Sequence, residues 1–369
     1  MIIKELTLRQ FRCFQERTIQ FDGRIVVVEG LNGSGKSSLL EALHYGCYLR
    51  SFRTHLNRDL IHLGKDYFFI NVAFQPELSA VTDQIQVGFS GPEGKVVKYN
   101  QKLVQSYKEL NDHFRIVTLV ADDIALIQGS PELRRDFLNY AILLHDPNVM
   151  ATFKRYKQIL DQRNSMLSQQ RHGNLAQSEE FAIWTKNLWQ ESVYIRSLRI
   201  SYLQSLENAV NNLLTTYFAG PDTVDLSVRF TYSSKNIKDE DQGFDSFWLD
   251  YKKNQLVTEQ EWGRSLFGVH LDDFTIIFQS KKARVFASRG QQKLLVLLIK
   301  IAQLAQLSLT GEPGVLLLDD FMTDFDHARV EKCIAALKDL KFQMFLSCPI
   351  SPKAFLSCLS VNDICHIRL

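Results

Sequence analysis

The chain has 369 residues, of which 45% are hydrophobic and 23% are charged, with a formal net charge of +2. These values are typical of a folded protein with a sizeable core and room for two or three domains. The net charge by itself says nothing about nucleic acid, so any DNA-binding surface must come from local clusters of Lys and Arg.

Nothing in the pattern indicates export, membrane insertion or a cysteine-based metal site. The six cysteines contain no Cys-x-x-Cys pair, and no His stands at metal-ligand spacing from them, which indicates reduced thiols in a reducing compartment. Charges begin at Lys4, so we expect no signal peptide. The longest apolar run, Leu294–Ile299, is far shorter than the roughly 20 residues of a membrane helix. We expect a cytoplasmic protein with no membrane partner.

The first forty residues predict two short strands, a buried strand and a helix. Leu6 and Leu8 alternate with polar residues, and Thr18–Phe21 is a second short strand after a turn. Ile25–Val28 is β-branched and apolar on both faces, as in a central strand. It ends at Glu29, and the helix that follows has apolar residues on one side.

The middle of the chain changes from strands to helices. Strands are predicted at Phe68–Phe74 and Ile85–Phe89. Residues 131–217 contain little glycine or proline and have apolar residues three and four apart, which predicts helices. A strand at Val224–Tyr232 and a polar acidic loop at Lys235–Gly243 follow.

The last third returns to alternating strand and helix. The predicted elements are a strand at Phe274–Phe278, a helix at Leu294–Leu307 and a buried strand at Val315–Leu318. Since α/β character lies at both ends with helices between, we predict one nucleotide-binding domain split by an insertion. Its first part is placed at residues 1–110, the inserted helical lobe at 111–265 and its second part at 266–369.

A phosphate-binding loop stands between the buried strand and its helix. The run Gly30-Leu31-Asn32-Gly33-Ser34-Gly35-Lys36-Ser37 fits the pattern G-x-x-x-x-G-K-[ST]. The glycines let the backbone curl so that its N–H groups point at phosphate oxygens, and the helix start adds partial positive charge. Lys36 is predicted to reach the β- and γ-phosphate oxygens, and the Ser37 hydroxyl to bind Mg²⁺. The sequence therefore predicts an ATP site that takes Mg²⁺.

Two carboxylates follow the last buried strand. Asp319 is predicted to help bind Mg²⁺ together with Ser37, and Asp320 to orient the attacking water. The alternative is a solvated strand end, which is common in proteins. With Lys36, these two aspartates are the candidate catalytic residues.

A serine and a glycine precede the helix Leu294–Leu307. Ser288, Gly290 and Gln291 resemble the S-x-G-Q signature of ABC-type ATPases, in which this loop contacts the γ-phosphate bound by the other subunit. They also fit an ordinary helix cap, because Ser and Gly are favoured at helix N-termini. After the acidic strand, Thr323–Asp326 resembles the D-loop of the same ATPases, which makes Asp326 a residue of the implied dimer interface.

Further motifs along almost the whole chain resemble the RecF family, which is related to Rad50 and the SMC proteins. The motifs are Leu8–Arg12, Leu40–Leu43, Ser51–Thr54, Gly129–Leu138 and Gln162–Asn164. The chain departs from the family at Asn139 (usually Asp), Val269 (usually Pro), Leu271 (usually basic) and Ala287 (usually Leu). The resemblance implies an α/β fold: an ABC-type P-loop ATPase head with an inserted, mainly helical second lobe that forms a short antiparallel helical arm.

The resemblance also implies a function. It is ATP-driven homodimerisation on single- and double-stranded DNA at gaps or junctions, with RecO and RecR partners. The outcome is RecA loading, gap repair, replication maintenance and SOS induction. Asp320 stands where many ABC ATPases have the longer Glu, so we expect slow, DNA-stimulated hydrolysis that acts as a timer.

Basic residues of the helical block are the candidate DNA contacts. They are Lys154, Arg155, Lys157, Arg163 and Arg171. The same residues also fit an ordinary solvated helix face. Contacts of this kind go to phosphates, so binding is expected to be sensitive to salt and weakly dependent on base sequence.

Other classes of protein share the phosphate loop. A structural ATPase of the SMC or Rad50 type needs hundreds of residues of heptad coiled coil between its halves, whereas about 250 residues separate Ser37 from Ser288. The ATP-binding subunit of a transporter needs a membrane partner. A nuclease of the overcoming-lysogenization type needs a further acidic domain after the ATPase.

Overall fold

A computed structural model of the chain describes residues 1–76, 81–105, 110, 114–169, 174–219, 226–234, 243–308, 314–320, 325, 327–339, 342–348 and 364–369. The chain forms two compact units. The first unit contains Met1–Ile124, Asn212–Leu226 and Ser288–Leu369, and the second contains Ala125–Asn211 and Ser227–Ala287. These ends differ from the predicted segment ends at residues 110 and 265.

The strands are β1 (Ile2–Phe11), β2 (Phe14–Gln20), β3 (Ile25–Glu29), β4 (Tyr67–Gln75), β5 (Asp83–Ser90), β6 (Gly94–Tyr99), β7 (Lys102–Leu103), β8 (Ile116–Leu119), β9 (Val228–Ser233), β10 (Asp273–Phe278), β11 (Lys281–Lys282), β12 (Val315–Leu318), β13 (Gln343–Cys348) and β14 (Ile364–Arg368). The helices are α1 (Lys36–Tyr48), α2 (Ala125–Gln128), α3 (Pro131–His145), α4 (Val149–Gln169), α5 (Glu179–Leu213), α6 (Gly243–Asn254), α7 (Leu256–Trp262), α8 (Ala283–Phe286), α9 (Arg289–Ser308) and α10 (His327–Asp339). Short 3-10 turns lie at Asn57–Leu60, Ala121–Ile124 and Leu175–Gln177, and α5 continues as a π-helical turn at Leu214–Phe218.

A parallel sheet forms the centre of the first unit. Its five strands have the order β14-β3-β13-β12-β8. Every residue of β3, β8 and β12 is buried, which explains why these strands are apolar on both faces apart from Glu29 and Thr118. Helix α1 packs against β8 and β13, and α9 packs against β8 and β12. The sheet therefore brings together strands from residues 25–29, 116–119 and 315–368.

An antiparallel sheet covers the other side of α1. Its order is β2-β1-β4-β5-β6-β7, and α1 also packs against β1, β4 and β5. The close approach depends on Gly46, because a Cβ at this position would lie 2.7 Å from Val72 Cγ2. Tyr45 of α1 and Phe11 of β1 meet Phe68 edge-on, with ring centroids 5.5 Å apart in both pairs. Helix α1 is thus held between two sheets.

The second unit is mainly helical, as predicted for residues 131–217. Its described strands form one antiparallel sheet in the order β11-β10-β9. The predicted strand Val224–Tyr232 is present as β9, Val228–Ser233, whereas its first two residues and most of the acidic loop lie outside the described residues. Helix α4 packs against α7, and α6 packs against α7. Among the described helices of the chain, none combines the length and apolarity needed to cross a membrane.

Candidate functional site

The predicted phosphate loop connects the buried strand β3 to α1, as expected. Gly33 has φ +84° and Gly35, at the helix N-cap, has φ +106°, a conformation that favours glycine. A Cβ at Gly35 would also lie 2.6 Å from Cys13 Sγ and 2.8 Å from Phe14 Cζ. Gly35 is therefore required by both its backbone conformation and its neighbours in the β1–β2 turn.

The Lys36 ammonium lies over the loop itself. Its Nζ donates to the carbonyl oxygens of Gly30, at 2.8 Å, and Leu31, at 3.0 Å. The residue is 9% exposed, so the positive charge is close to the loop and largely shielded from solvent. A lysine in this position can meet phosphate oxygens within the loop without a change of backbone.

The structure brings Ser37 and Asp319 together across the parallel sheet. Ser37 Oγ, in the first turn of α1, donates to Asp319 Oδ1 at 2.9 Å, just beyond the end of β12. The Asp319 N–H donates to the Leu119 carbonyl at 2.9 Å, which fixes the backbone that carries the carboxylate. A hydroxyl and a carboxylate oxygen at this distance are hard donors that fit Mg²⁺. Within the described residues, the site thus contains a donor pair for one small cation.

Sequence reasoning missed a third residue at this point, Ser347 of β13. Its Oγ donates to Asp319 Oδ1 at 2.8 Å and accepts from the Asp320 N–H at 2.8 Å. The neighbouring Cys348 has a pKa raised to about 12, by burial and then by the nearby Glu29 carboxylate. The sequence feature that could have revealed Ser347 is its place near the end of the mostly apolar segment Gln343–Cys348. This segment resembles the other buried strands.

A buried carboxylate, Glu29, stands at the start of the loop. It is 4% exposed and lies 3.7 Å from His366 Nδ1 and 3.6 Å from Arg368 Nε on the adjacent strand β14. The Leu369 N–H donates to the Glu29 carbonyl at 2.9 Å, which continues the ladder between β14 and β3. The phosphate loop is therefore fixed on one side by β14 and on the other by β13.

Motifs that resemble the RecF family converge on Glu41 of α1, whose side chain is fully buried. Arg12 donates to both of its oxygens, from Nε at 2.8 Å and from Nη2 at 2.7 Å. Ser51 Oγ donates to Oε1 at 2.5 Å, and Arg53 Nη1 lies 3.5 Å from Oε2. Two separate motifs thus hold a third, which lies in the helix that follows the phosphate loop.

The signature-like residues form a helix cap. The Ser288 N–H donates to Gln291 Oε1 at 2.8 Å, and the Gln291 N–H donates to Ser288 Oγ at 3.3 Å. This reciprocal pair is a capping box at the start of α9. Gly290 lies close to α10, because a Cβ there would be 3.1 Å from Arg329 Nη1. In the described part of the chain, Ser288 and Gln291 bond to each other and not to the phosphate loop. Asp326 lies outside the described residues.

The predicted DNA contacts divide into two groups. Lys154, Arg155 and Lys157 are exposed on α4, and Arg155 also forms an ion pair with Glu191. Arg171 lies outside the described residues. The prediction for Arg163 is wrong, because its side chain is fully buried in the second unit.

The buried position of Arg163 follows from its partners. Nη2 donates to Glu259 Oε2 at 2.6 Å and to the Tyr251 hydroxyl at 2.6 Å, and Nη1 donates to Ser265 Oγ at 2.5 Å. The guanidinium also lies 4.7 Å from the ring centroid of Phe267. A charge that is paired, hydrogen-bonded and enclosed by rings can be buried, and this guanidinium holds the core of the second unit.

Two of the positions at which the chain departs from the RecF family make specific contacts with Arg199. Asn139 Oδ1 accepts from Arg199, from Nε at 3.1 Å and Nη2 at 2.8 Å. The Val269 carbonyl accepts from Arg199 Nη1 at 2.8 Å.

His270 Nδ1 lies 2.7 Å from the Tyr156 hydroxyl, and burial lowers the pKa of this histidine. His270 is thus a packed residue of the second unit, in line with a structural role.

A glycine loop between a buried parallel strand and a helix, with Asp319 bonded to the first turn of that helix, is the arrangement of a P-loop ATPase site. The chain belongs to the AAA domain family, whose profile matches residues 5–338. Its relatives include the DNA replication and repair protein RecF of Chloroherpeton thalassium, 29% identical over 343 residues and 91% of each chain. RecF of Thermoanaerobacter pseudethanolicus is 29% identical over 348 residues and 94% of each chain. The predicted resemblance to RecF is confirmed.

Solved structures agree with this assignment. The recombination mediator protein RecF with ATP, in the RecFOR pathway, has a TM-score of 0.82 at 26% identity and covers 99% of this chain and 95% of its own. The Smc head domain of Pyrococcus furiosus bound to the C-terminal domain of ScpA has a TM-score of 0.56 at 15% identity, covering 98% of this chain and 94% of its own. The second likeness concerns the fold alone. The predicted α/β head is confirmed by both.

Proposed function

We propose that the chain is an ATP-dependent, DNA-binding recombination mediator of the RecF type. The observation that carries the proposal is the bond between Ser37 and Asp319, at 2.9 Å, which joins the phosphate loop to the acidic strand. It is supported by relatives named as DNA replication and repair proteins and by a similar structure of RecF with ATP. We place its action in the cytoplasm, at single- and double-stranded DNA with gaps or junctions.

The residues of the loop have distinct roles in this proposal. The backbone N–H groups of residues 30–37 and the Lys36 ammonium bind the phosphates of ATP. Ser37 and Asp319 hold Mg²⁺, which when bound neutralises phosphate charge. The Asp320 N–H donates to Ser347 Oγ, 27 residues further along the chain, and Asp320 is an exposed residue that orients the attacking water molecule.

ATP acts between two copies of the chain. In the proposed homodimer, Ser288, Gly290 and Gln291 of one copy meet the γ-phosphate held by the other, and Asp326 lies at the same interface. The capping box leaves this possible, because a serine hydroxyl that accepts from the Gln291 N–H can still donate its proton to a phosphate oxygen. ATP then stabilises the dimer only by binding it better than the monomer.

DNA is bound through phosphates by Lys154, Arg155 and Lys157, all exposed on one helix. Arg171 stays a prediction, and Arg163 is removed from the set. RecO and RecR are the proposed protein partners. Together they support RecA loading, gap repair, replication maintenance and SOS induction.

The central test is retention of gapped DNA with and without ATP and Mg²⁺. Wild type is expected to retain DNA only with the nucleotide, and Lys36→Met to lose both nucleotide binding and retention. Arg9→Met, a change at an exposed basic residue of β1, is the matched control and is expected to behave as wild type. DNA retention that is independent of ATP in wild type would contradict the proposal.

A further inference from the structure

The Ser347 hydroxyl stands between the two residues that carry the acidic groups of the site. It donates to Asp319 Oδ1 and accepts from the Asp320 N–H, both at 2.8 Å, and the residue is 6% exposed. We propose that Ser347 is a positioning residue that fixes the Asp319 carboxylate for Mg²⁺ and the Asp320 backbone for hydrolysis. This inference rests on the proposed function.

The first reason is the bonding of Asp319 Oδ1. This one oxygen accepts from two hydroxyls, Ser37 at 2.9 Å and Ser347 at 2.8 Å. Ser37 belongs to the phosphate loop and is itself a proposed cation ligand, so its bond to Asp319 competes with that role. Ser347 comes from β13 and has no such role. Its bond can therefore hold the carboxylate in place while Ser37 turns to the cation.

The second reason is the backbone of Asp320. Its φ is +44°, a left-handed conformation that residues other than glycine rarely adopt. The bond from its N–H to Ser347 Oγ opposes relaxation to an ordinary conformation. The exposed side chain of Asp320 extends from this fixed backbone. Loss of the Ser347 hydroxyl therefore affects both acidic residues at once.

The sheet gives Ser347 a fixed position. It is paired with Val28 in the parallel ladder between β13 and β3. The register of β13 is fixed by Gln343, whose Oε1 accepts from the Ile3 N–H at 2.7 Å and whose Nε2 donates to the Ile3 carbonyl at 2.9 Å. A slip of one residue would turn Ser347 to the opposite face of the sheet. The buried glutamine thus keeps the hydroxyl between the two aspartates.

The experiment measures ATP affinity, with and without Mg²⁺, and DNA-stimulated ATP hydrolysis for Ser347→Ala and Ser347→Thr. In Ser347→Ala, the gain in ATP affinity on adding Mg²⁺ and kcat are each expected to fall about tenfold, which corresponds to about 1.4 kcal/mol. Affinity without Mg²⁺ is expected to stay at the wild-type value. Ser347→Thr keeps the hydroxyl and should restore both quantities.

Two further variants keep the test decisive. Ser347→Cys has nearly the size of serine but a weak donor, and it should show the same losses even if Ser347→Ala does not fold. Ser192→Ala removes another buried hydroxyl, which bonds to the Leu188 carbonyl at 2.6 Å in the second unit, and should leave both quantities unchanged.

The inference is overturned if Ser347→Ala and Ser347→Cys keep the wild-type response to Mg²⁺, or if Ser347→Thr loses as much as Ser347→Ala. Failure of the proposed function looks different. In that case wild type itself binds no ATP, with or without Mg²⁺.

Discussion

Arg12 and Glu41 form a two-armed ion pair in which the carboxylate is completely buried and the guanidinium is 20% exposed. The two bonds, at 2.8 Å and 2.7 Å, tie the β1–β2 turn to the helix that follows the phosphate loop. Removal of one partner of a buried pair is far more damaging than loss of a pair in solvent, since it leaves a charge without compensation.

We therefore expect Arg12→Met to lower the free energy of unfolding by about 2 kcal/mol. This is less than the roughly 3 kcal/mol of a buried charge left alone, because Arg53 Nη1 remains 3.5 Å from Glu41 Oε2. Arg9→Met is the control, because Arg9 of β1 pairs with Glu16 of the neighbouring strand β2 but the two side chains are 54% and 68% exposed. That change should cost below about 1 kcal/mol. Denaturant unfolding of both variants measures the difference, and equal losses would contradict the role given to Glu41.

The imidazole of His44 makes stability depend on pH. It lies in α1 with Nδ1 2.8 Å from Thr118 Oγ1, and burial, followed by the charge of Arg50, lowers its pKa from 6.5 to about 3. The unfolded chain therefore takes up this proton first, and the contribution of His44 is lost as pH falls from about 6.5 towards 3. At pH 5 the loss is about 2 kcal/mol.

The measurement is the unfolding free energy at pH 7.5 and pH 5 in wild type and His44→Gln. The variant should lose less stability than wild type over this interval. His55→Gln replaces an exposed histidine and should follow the wild-type curve. If the slopes of wild type and His44→Gln coincide, the buried imidazole is not the group responsible.

The dimer proposal predicts the behaviour of Ser288→Arg. A long side chain at the capping serine should block the approach of a second copy while leaving the phosphate loop intact. The variant is expected to bind ATP and to remain monomeric by size-exclusion chromatography with light scattering. Ser178→Arg is the matched control, since Ser178 Oγ also accepts an N–H near the start of a helix, from Phe181 at 3.2 Å. An ATP-induced dimer of Ser288→Arg would show that the loop does not act between subunits.

Replacement of the exposed lysines of α4 should change DNA binding, whereas replacement of the buried Arg163 of the same helix should change stability. Replacement of exposed Lys154 and Lys157 by Gln removes two phosphate contacts, so DNA binding should weaken and the slope of log affinity against log salt should fall by up to about 2. Stability should hardly change. Arg163→Met should instead lower stability by about 3 kcal/mol or more, because Glu259 stays buried without its partner. Normal stability of Arg163→Met would contradict its place in the core.

The phosphate loop and the two strands beside it were predictable because their signals are local. Gly30–Ser37 is a continuous motif, β3 is apolar up to Glu29, and β12 is apolar throughout. Ser347 was not predictable, since nothing in the local pattern says that β13 lies between β3 and β12. Arg163 was misjudged for the same reason. Its partner Glu259 is 96 residues further along the chain, and only the fold shows that the pair is buried.

The position of β3 in its sheet has a consequence for synthesis on the ribosome. Both neighbours of this strand, β13 and β14, come from residues 343–348 and 364–368. After Gly30–Ser37 has been synthesised, more than three hundred further residues must therefore be added before β3 gains its hydrogen-bonded neighbours. The chain therefore cannot complete its nucleotide site until the last part of it has been translated. A truncated messenger RNA yields a polypeptide in which the strand before the phosphate loop has neither of its sheet neighbours.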